Sequence, residues 1–269
     1  MSSARSSTIG QEKTSNYALR PKTREEFVQL LTAELPERPG YFALDVEINR
    51  AGAPPLEYLP SIPALSPAEL IDRQKNGAII LDTRAAAEFG AAHIPGSIQI
   101  GLNGQYASWA AILLGLESEI VLVTGDLEQV HESRLRLTRV GIERVTGYLE
   151  DGLAGWIRKG MPVEQTSQIG AEQLYRLVED DPAAIQIVDV RRPAEWQEGH
   201  IPGAHHKPLD KLITHLGDLD MHKPIAVYCK GGYRSAIASS LLQRAGCTQV
   251  MNVVGGFDGW LACDLPYLR

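Results

Sequence analysis

The sequence predicts an α/β protein of two tandem domains, each a parallel β-sheet flanked by helices. Three observations carry that expectation. Residues 79–96, IILDTRAAAEFGAAHIPG, and 186–203, QIVDVRRPAEWQEGHIPG, follow one pattern: an apolar run, Asp-x-Arg, Glu, then His-Ile-Pro-Gly. Asp82, Arg84, Glu88 and His93 stand 107 positions before Asp189, Arg191, Glu195 and His200, so the chain is an internal duplication. The runs AIILD, IVLVT, IQIVD and PIAVY are continuously apolar, as strands buried on both faces of a parallel sheet must be. Helical patterns alternate with them.

Taken in order, residues 1–60 belong to neither repeat. They hold an amphipathic piece, REEFVQLLTAEL at 24–35, and a Pro-rich run, GAPPLEYLP at 52–60, and read as an extension. The first domain spans 61–160. It opens with SPAELIDRQKNG at 66–77, where Ser66 as N-cap and Glu69 three residues on form a helix start. The second spans 161–269, with MPVEQTSQ at 161–168 as the linker and GAEQLYRLVEDD at 170–181 as its first helix. IVLVT at 120–124 corresponds to IAVYC at 225–229. Each precedes a helix-length amphipathic stretch closed by Gly141 or Gly246, then an apolar run and a Gly-rich segment leading to Trp156 or Trp260.

Composition narrows the function. With 269 residues, 44% apolar and 22% charged, the chain suits a soluble globular protein. A net charge of -7 with no basic stripe argues against nucleic acid as a partner. No run approaches the roughly 20 apolar residues of a membrane span, and the N-terminus lacks the apolar core of a signal peptide. A soluble, cytoplasmic protein is the expectation. Cys229, Cys247 and Cys263 form neither a disulfide framework nor a metal pattern, and His200, His205 and His206 read as a loop cluster. No metal and no cofactor is expected.

The chemistry concentrates in Tyr228-Cys229-Lys230-Gly231-Gly232-Tyr233-Arg234-Ser235. A cysteine ends a buried strand, a loop with two glycines follows, and a helix begins at about Arg234. Ligands of parallel α/β sheets sit at such strand ends. Gly231 and Gly232 let the backbone curl until several N–H groups converge, and the helix start adds partial positive charge. That nest favours a thiolate at Cys229, making it the catalytic nucleophile, and would hold the outer sulfur of a persulfide. Lys230 and Arg234 offer cations to an oxyanion, and Tyr233 lines the mouth. Ser235 and Arg191, the latter at a neighbouring strand end, complete the expected substrate-binding set.

On these residues the chain resembles the rhodanese superfamily, over about residues 62–265, and CKGGYRS looks like its active-site loop. The resemblance implies a transferase whose cysteine takes sulfane sulfur from thiosulfate or a small persulfide and passes it, through a cysteine persulfide, to cyanide or a thiol. Phosphatases of similar fold place five residues between cysteine and arginine, whereas four separate Cys229 from Arg234, so the narrower cradle favours sulfur. Arsenate reduction occurs in the same family and stays open at this point, as does a sulfur-binding docking module.

The first domain serves as an internal control. Thr124 stands where Cys229 does, followed by Gly125, Asp126, Leu127, Glu128 and Gln129. A hydroxyl cannot carry a persulfide and the carboxylates repel an anionic donor, so this domain is expected to be silent. Asp189, Arg191, Glu195 and His200 have counterparts there and are read as structural, an ion pair and hydrogen bonds that fix the strand-end loop. Cys247 and Cys263 are read as inert, and Trp156, Trp196 and Trp260 as core or lid.

The extension resembles the tail of the metallo-β-lactamase-type domain in persulfide dioxygenase–rhodanese fusions, through SSTIGQEKTSN, REEFVQLLTAELPERPGYF and INRAGAPPL. The chain lacks the His-x-His-x-Asp-His motif of the dioxygenase iron site. The resemblance therefore implies a dioxygenase domain or protein as partner, in sulfide and persulfide metabolism.

Overall fold

A computed structural model describes residues 6–32, 40–52 and 61–269. The Pro-rich run expected at 52–60 lies, beyond Gly52, outside the described residues. The chain divides into two compact units, Met1–Gly40 and Tyr41–Arg269. The first holds helices Ile9–Ser15 and Arg24–Thr32, the former closed by a capping box between Thr8 and Gln11. None of its described residues is buried. In the second unit a helix, Phe42–Ala51, precedes the repeats, and Tyr41 enters the same core as the paired domains.

Each repeat forms a five-stranded, fully parallel sheet. The first contains β1 (Ala64–Leu65), β2 (Ile79–Asp82), β3 (Ile98–Gln99), β4 (Ile120–Val123) and β5 (Val145–Leu149), in the order β1-β5-β4-β2-β3. The second contains β6 (Ser167–Ile169), β7 (Gln186–Asp189), β8 (Ala204–His206), β9 (Ile225–Tyr228) and β10 (Val250–Val253), in the order β6-β10-β9-β7-β8. The central strands β4 and β9 are buried at every position, which is why both read as unbroken apolar runs. Registers match as well: Asp82 pairs with Val123, and Asp189 with Tyr228.

The repeated polar residues do the same work in both copies. The Arg84 guanidinium donates to Asp82 and to the Ala92 carbonyl; that of Arg191 donates to Asp189 and to the Gly199 carbonyl. His93 stacks on Phe89, and His200 on Trp196. His93 forms a bridge with Glu164 in the linker, and His200 with Leu268 in the tail. The indole N–H of Trp156 donates to Pro162 and that of Trp260 to Pro266, both at 2.8 Å. Each domain thus closes on the segment that follows its last helix.

The helix Tyr233–Arg244 joins the two domains. Residues Ser235 to Leu242 are all buried, as happens when a helix is covered on several sides. On one stripe, Tyr233 donates to the Gly101 carbonyl, Ser240 accepts from the Gln99 N–H, and Arg244 donates to the Gly96 carbonyl. Ile237 lies on the same stripe by helical spacing. Leu81, Ile98 and Ile100 of the first domain share one apolar core with Val190, Ile237 and Leu241 of the second.

Candidate active site

Cys229 follows β9 at its carboxyl end and is buried to 1% exposure. Its Sγ accepts the Gly232 N–H at 3.1 Å. Gly232 is the N-cap of the Tyr233 helix, at φ +105°, where a side chain would be strained. No side chain caps that helix, so its first-turn N–H groups are left without a side-chain acceptor. The loop is held by the first turn of the last helix, Gly256–Ala262. There Phe257 N–H donates to the Cys229 carbonyl at 2.8 Å and Asp258 N–H to that of Lys230 at 3.0 Å. A Cβ at Gly256, φ +54°, would overlap the Cys229 carbonyl oxygen, so only glycine allows this approach.

The first domain's loop shows the opposite arrangement. Asp126 caps the helix Leu127–Thr138 by accepting the Gln129 N–H at 2.8 Å, and the Gln129 amide oxygen accepts the Gly125 N–H at 3.1 Å. The Thr124 hydroxyl donates to the Asp126 carbonyl. The side-chain cap that the second domain's helix lacks is here supplied by Asp126.

A cavity of about 660 Å³ opens over Cys229. Lys230, Gly231, Tyr233 and Arg234 line it from the loop. Of the expected residues the structure also places Gly232 against the sulfur, but Arg191 and Ser235 lie elsewhere. Arg191 is 3% exposed, bound to Asp189 and stacked on Phe257 at 4.2 Å; Ser235 is buried and donates to the Gly232 carbonyl. Both support the site from below, without facing the cavity.

Arg234 is engaged. Its two terminal nitrogens donate to the Glu195 carboxylate at 2.6 and 2.7 Å. Burial alone would raise the Glu195 carboxyl, but the Arg234 guanidinium outweighs it and holds it below the usual carboxylate range. Burial likewise opposes the Arg234 charge, and Glu195 more than restores it. Glu195, read from the sequence as structural, lines the cavity beside Arg192. The signal that marks it is its partner: Arg234 stands opposite Gln129 in the other copy, so only the second Glu gains a cation.

Sequence reasoning missed one whole wall. Asn103, Gly104, Gln105 and Trp109 of the first domain line the cavity, facing the loop, and Asp258 closes it behind Lys230. Cys247 is buried with its sulfur 3.4 Å from that of Met221, and burial pushes its thiol up; Cys263 is exposed. His206 joins His200 in stacking on Trp196.

Comparison with known proteins places this geometry. A rhodanese-like domain profile matches residues 66–159 and again 170–263. The uncharacterized protein YqhL of Bacillus subtilis is 40% identical over 75 residues, which is 28% of this chain and 60% of YqhL. The chain therefore spans about 60% of that curated relative's length. Among solved structures, the rhodanese-like domain of the Anabaena Alr3790 protein is 30% identical, over 39% of this chain and 80% of that one, at a TM-score of 0.37. Thiosulfate sulfurtransferase of Pseudomonas aeruginosa is 22% identical, over 77% of this chain and 44% of that one, at a TM-score of 0.36. A Staphylococcus aureus rhodanese-like domain protein is 33% identical, over 35% and 91%, at a TM-score of 0.33. With the two profile matches covering more than half of its length, the chain belongs to the rhodanese-like domain family, as a tandem pair.

Proposed function

We propose that the chain is a sulfurtransferase that moves sulfane sulfur from thiosulfate or a low-molecular-weight persulfide to cyanide or a thiol, with Cys229 as carrier. The observation that supports this most is the Gly232 N–H on Cys229 Sγ beneath a helix start with no side-chain cap. An anionic sulfur fits such a place. In the first step the Cys229 thiolate attacks the outer sulfur of thiosulfate. The S–S bond breaks, and sulfite leaves with its electron pair. In the second step cyanide or a thiolate attacks the outer sulfur of the persulfide, and the Cys229 thiolate leaves. No proton or electron is needed from elsewhere.

Lys230 and Arg192, which line the cavity, supply the positive charge for an anionic donor. Arg234, matched by Glu195, shapes the loop. That pairing also speaks against a phosphatase, whose arginine must be free to cradle phosphate.

Intact-mass spectrometry after thiosulfate tests the reading. Wild type should gain one sulfur, lost on adding cyanide as thiocyanate appears, and Cys229→Ser should gain none. A sulfur adduct on Cys229→Ser, or none on wild type with thiosulfate or glutathione persulfide, overturns it.

A further inference from the structure

The active-site loop has one side chain anchored outside its own domain. Tyr233, the first residue of its helix, follows Gly232, whose N–H holds the sulfur. Its hydroxyl donates at 2.8 Å to the carbonyl of Gly101 in the first domain. A Cβ at Gly104 would overlap the Tyr233 ring, so the turn at 101–104 lies flat against that ring.

This turn has its own clamp. Arg136, on the helix after the silent loop, donates to the carbonyls of Leu102 and Gly104, the latter at 2.9 Å. Its guanidinium lies 5.3 Å from the centre of the Tyr106 ring and pairs with Glu132 at 3.0 Å. Burial pushes the Tyr233 phenol up, and the Arg136 charge partly opposes this. A planar fork suits two neighbouring carbonyls better than an ammonium does.

We propose that Arg136 is a positioning residue for the Cys229 site: through the 101–104 turn and Tyr233 it fixes where the loop N–H groups point. The first domain, though without a cysteine, thereby sets how well the second domain's loop receives an anion. This rests on Cys229 being the nucleophile, but it is tested without a sulfur donor.

The test compares alkylation of Cys229 in the full chain by anionic iodoacetate and by neutral iodoacetamide, followed by peptide mass spectrometry well below the melting temperature. The ratio of the two rates cancels the fraction of reactive thiol and reports the anion cradle. Loss of one hydrogen bond to a charged group corresponds to about a tenfold change. Arg136→Met and Tyr233→Phe should each lower the ratio about tenfold, and the double variant no further than the larger single effect. Arg136→Lys, which keeps the charge but not the fork, should recover only part of it. If Arg136→Met fails to fold, Tyr233→Phe and Gly104→Ala carry the test. An unchanged ratio, or single effects that multiply in the double variant, overturns the proposal. Because alkylation needs no sulfane sulfur, the sulfur-uptake assay can fail or succeed independently.

Discussion

Lys230 and Glu195 border the same cavity but are held differently, and their substitutions should differ accordingly. Lys230 is exposed on the rim. On the proposed reading its charge meets an incoming anion. Lys230→Ala should therefore raise the KM for thiosulfate about tenfold, with the difference shrinking in salt and the melting temperature unchanged. Glu195 is half-buried and binds both terminal nitrogens of Arg234. Glu195→Gln strands a partly buried cation and should destabilise the chain by about 1–2 kcal/mol, below the cost of a fully buried pair. The pH sign follows from the lowered carboxyl. The pair's contribution is complete above the ordinary carboxylate value and is lost as pH falls through the lower, folded value. Denaturant titrations from pH 6 down to pH 3 should thus show wild type and Glu195→Gln converging in acid. A constant gap would contradict this account.

At the level of elements, two glycine-dependent turns and one cap distinguish the two loops. Gly256→Ala must move the turn that supports Cys229 and Lys230 from behind, at a strained positive φ. It should cost about 2–3 kcal/mol and abolish sulfur uptake, read by melting and by intact mass. Asp126→Ala in the first domain removes a helix N-cap and should cost about 1 kcal/mol while leaving sulfur transfer unchanged. Thr124→Ala should likewise leave transfer intact; a large loss would show that the first domain's loop takes part. Much of this was legible in the chain. Strands buried on both faces leave unbroken apolar runs, and a duplication exposes the Asp-x-Arg frame twice. The CKGGYR loop was legible as a candidate site because a backbone nest beside a cysteine needs glycines. Arg191 misled because a strand end seldom reveals which way its guanidinium turns. The wall from Asn103 to Trp109 left no trace, since its place depends on how the Tyr233 helix lies on β3, some 130 positions away in sequence.

For the whole molecule the decisive feature is that two domains share one apolar core. The stripe of Tyr233, Ile237, Ser240 and Arg244 faces the first domain, and Ile237 and Leu241 are buried to 0% and 6% exposure. Residues 161–269 alone would expose this face. Re-exposing two such side chains costs about 3–6 kcal/mol, before counting the lost hydrogen bonds. That is a large share of the 5–15 kcal/mol that holds an ordinary domain folded. The isolated second domain should therefore be aggregation-prone or bind an apolar dye, despite carrying Cys229 and its entire loop. The intact pair should unfold in a single transition, with near-UV dichroism and sulfur uptake lost at the same denaturant concentration. Ile237→Ala in the full chain offers a graded version: a loss of about 2–4 kcal/mol in that one transition, felt by both domains. Two separate transitions, or a monomeric 161–269 fragment that transfers sulfur as fast as the full chain, would mean that the shared core is only a contact surface. A single transition would make the first domain part of the fold on which the Cys229 loop depends.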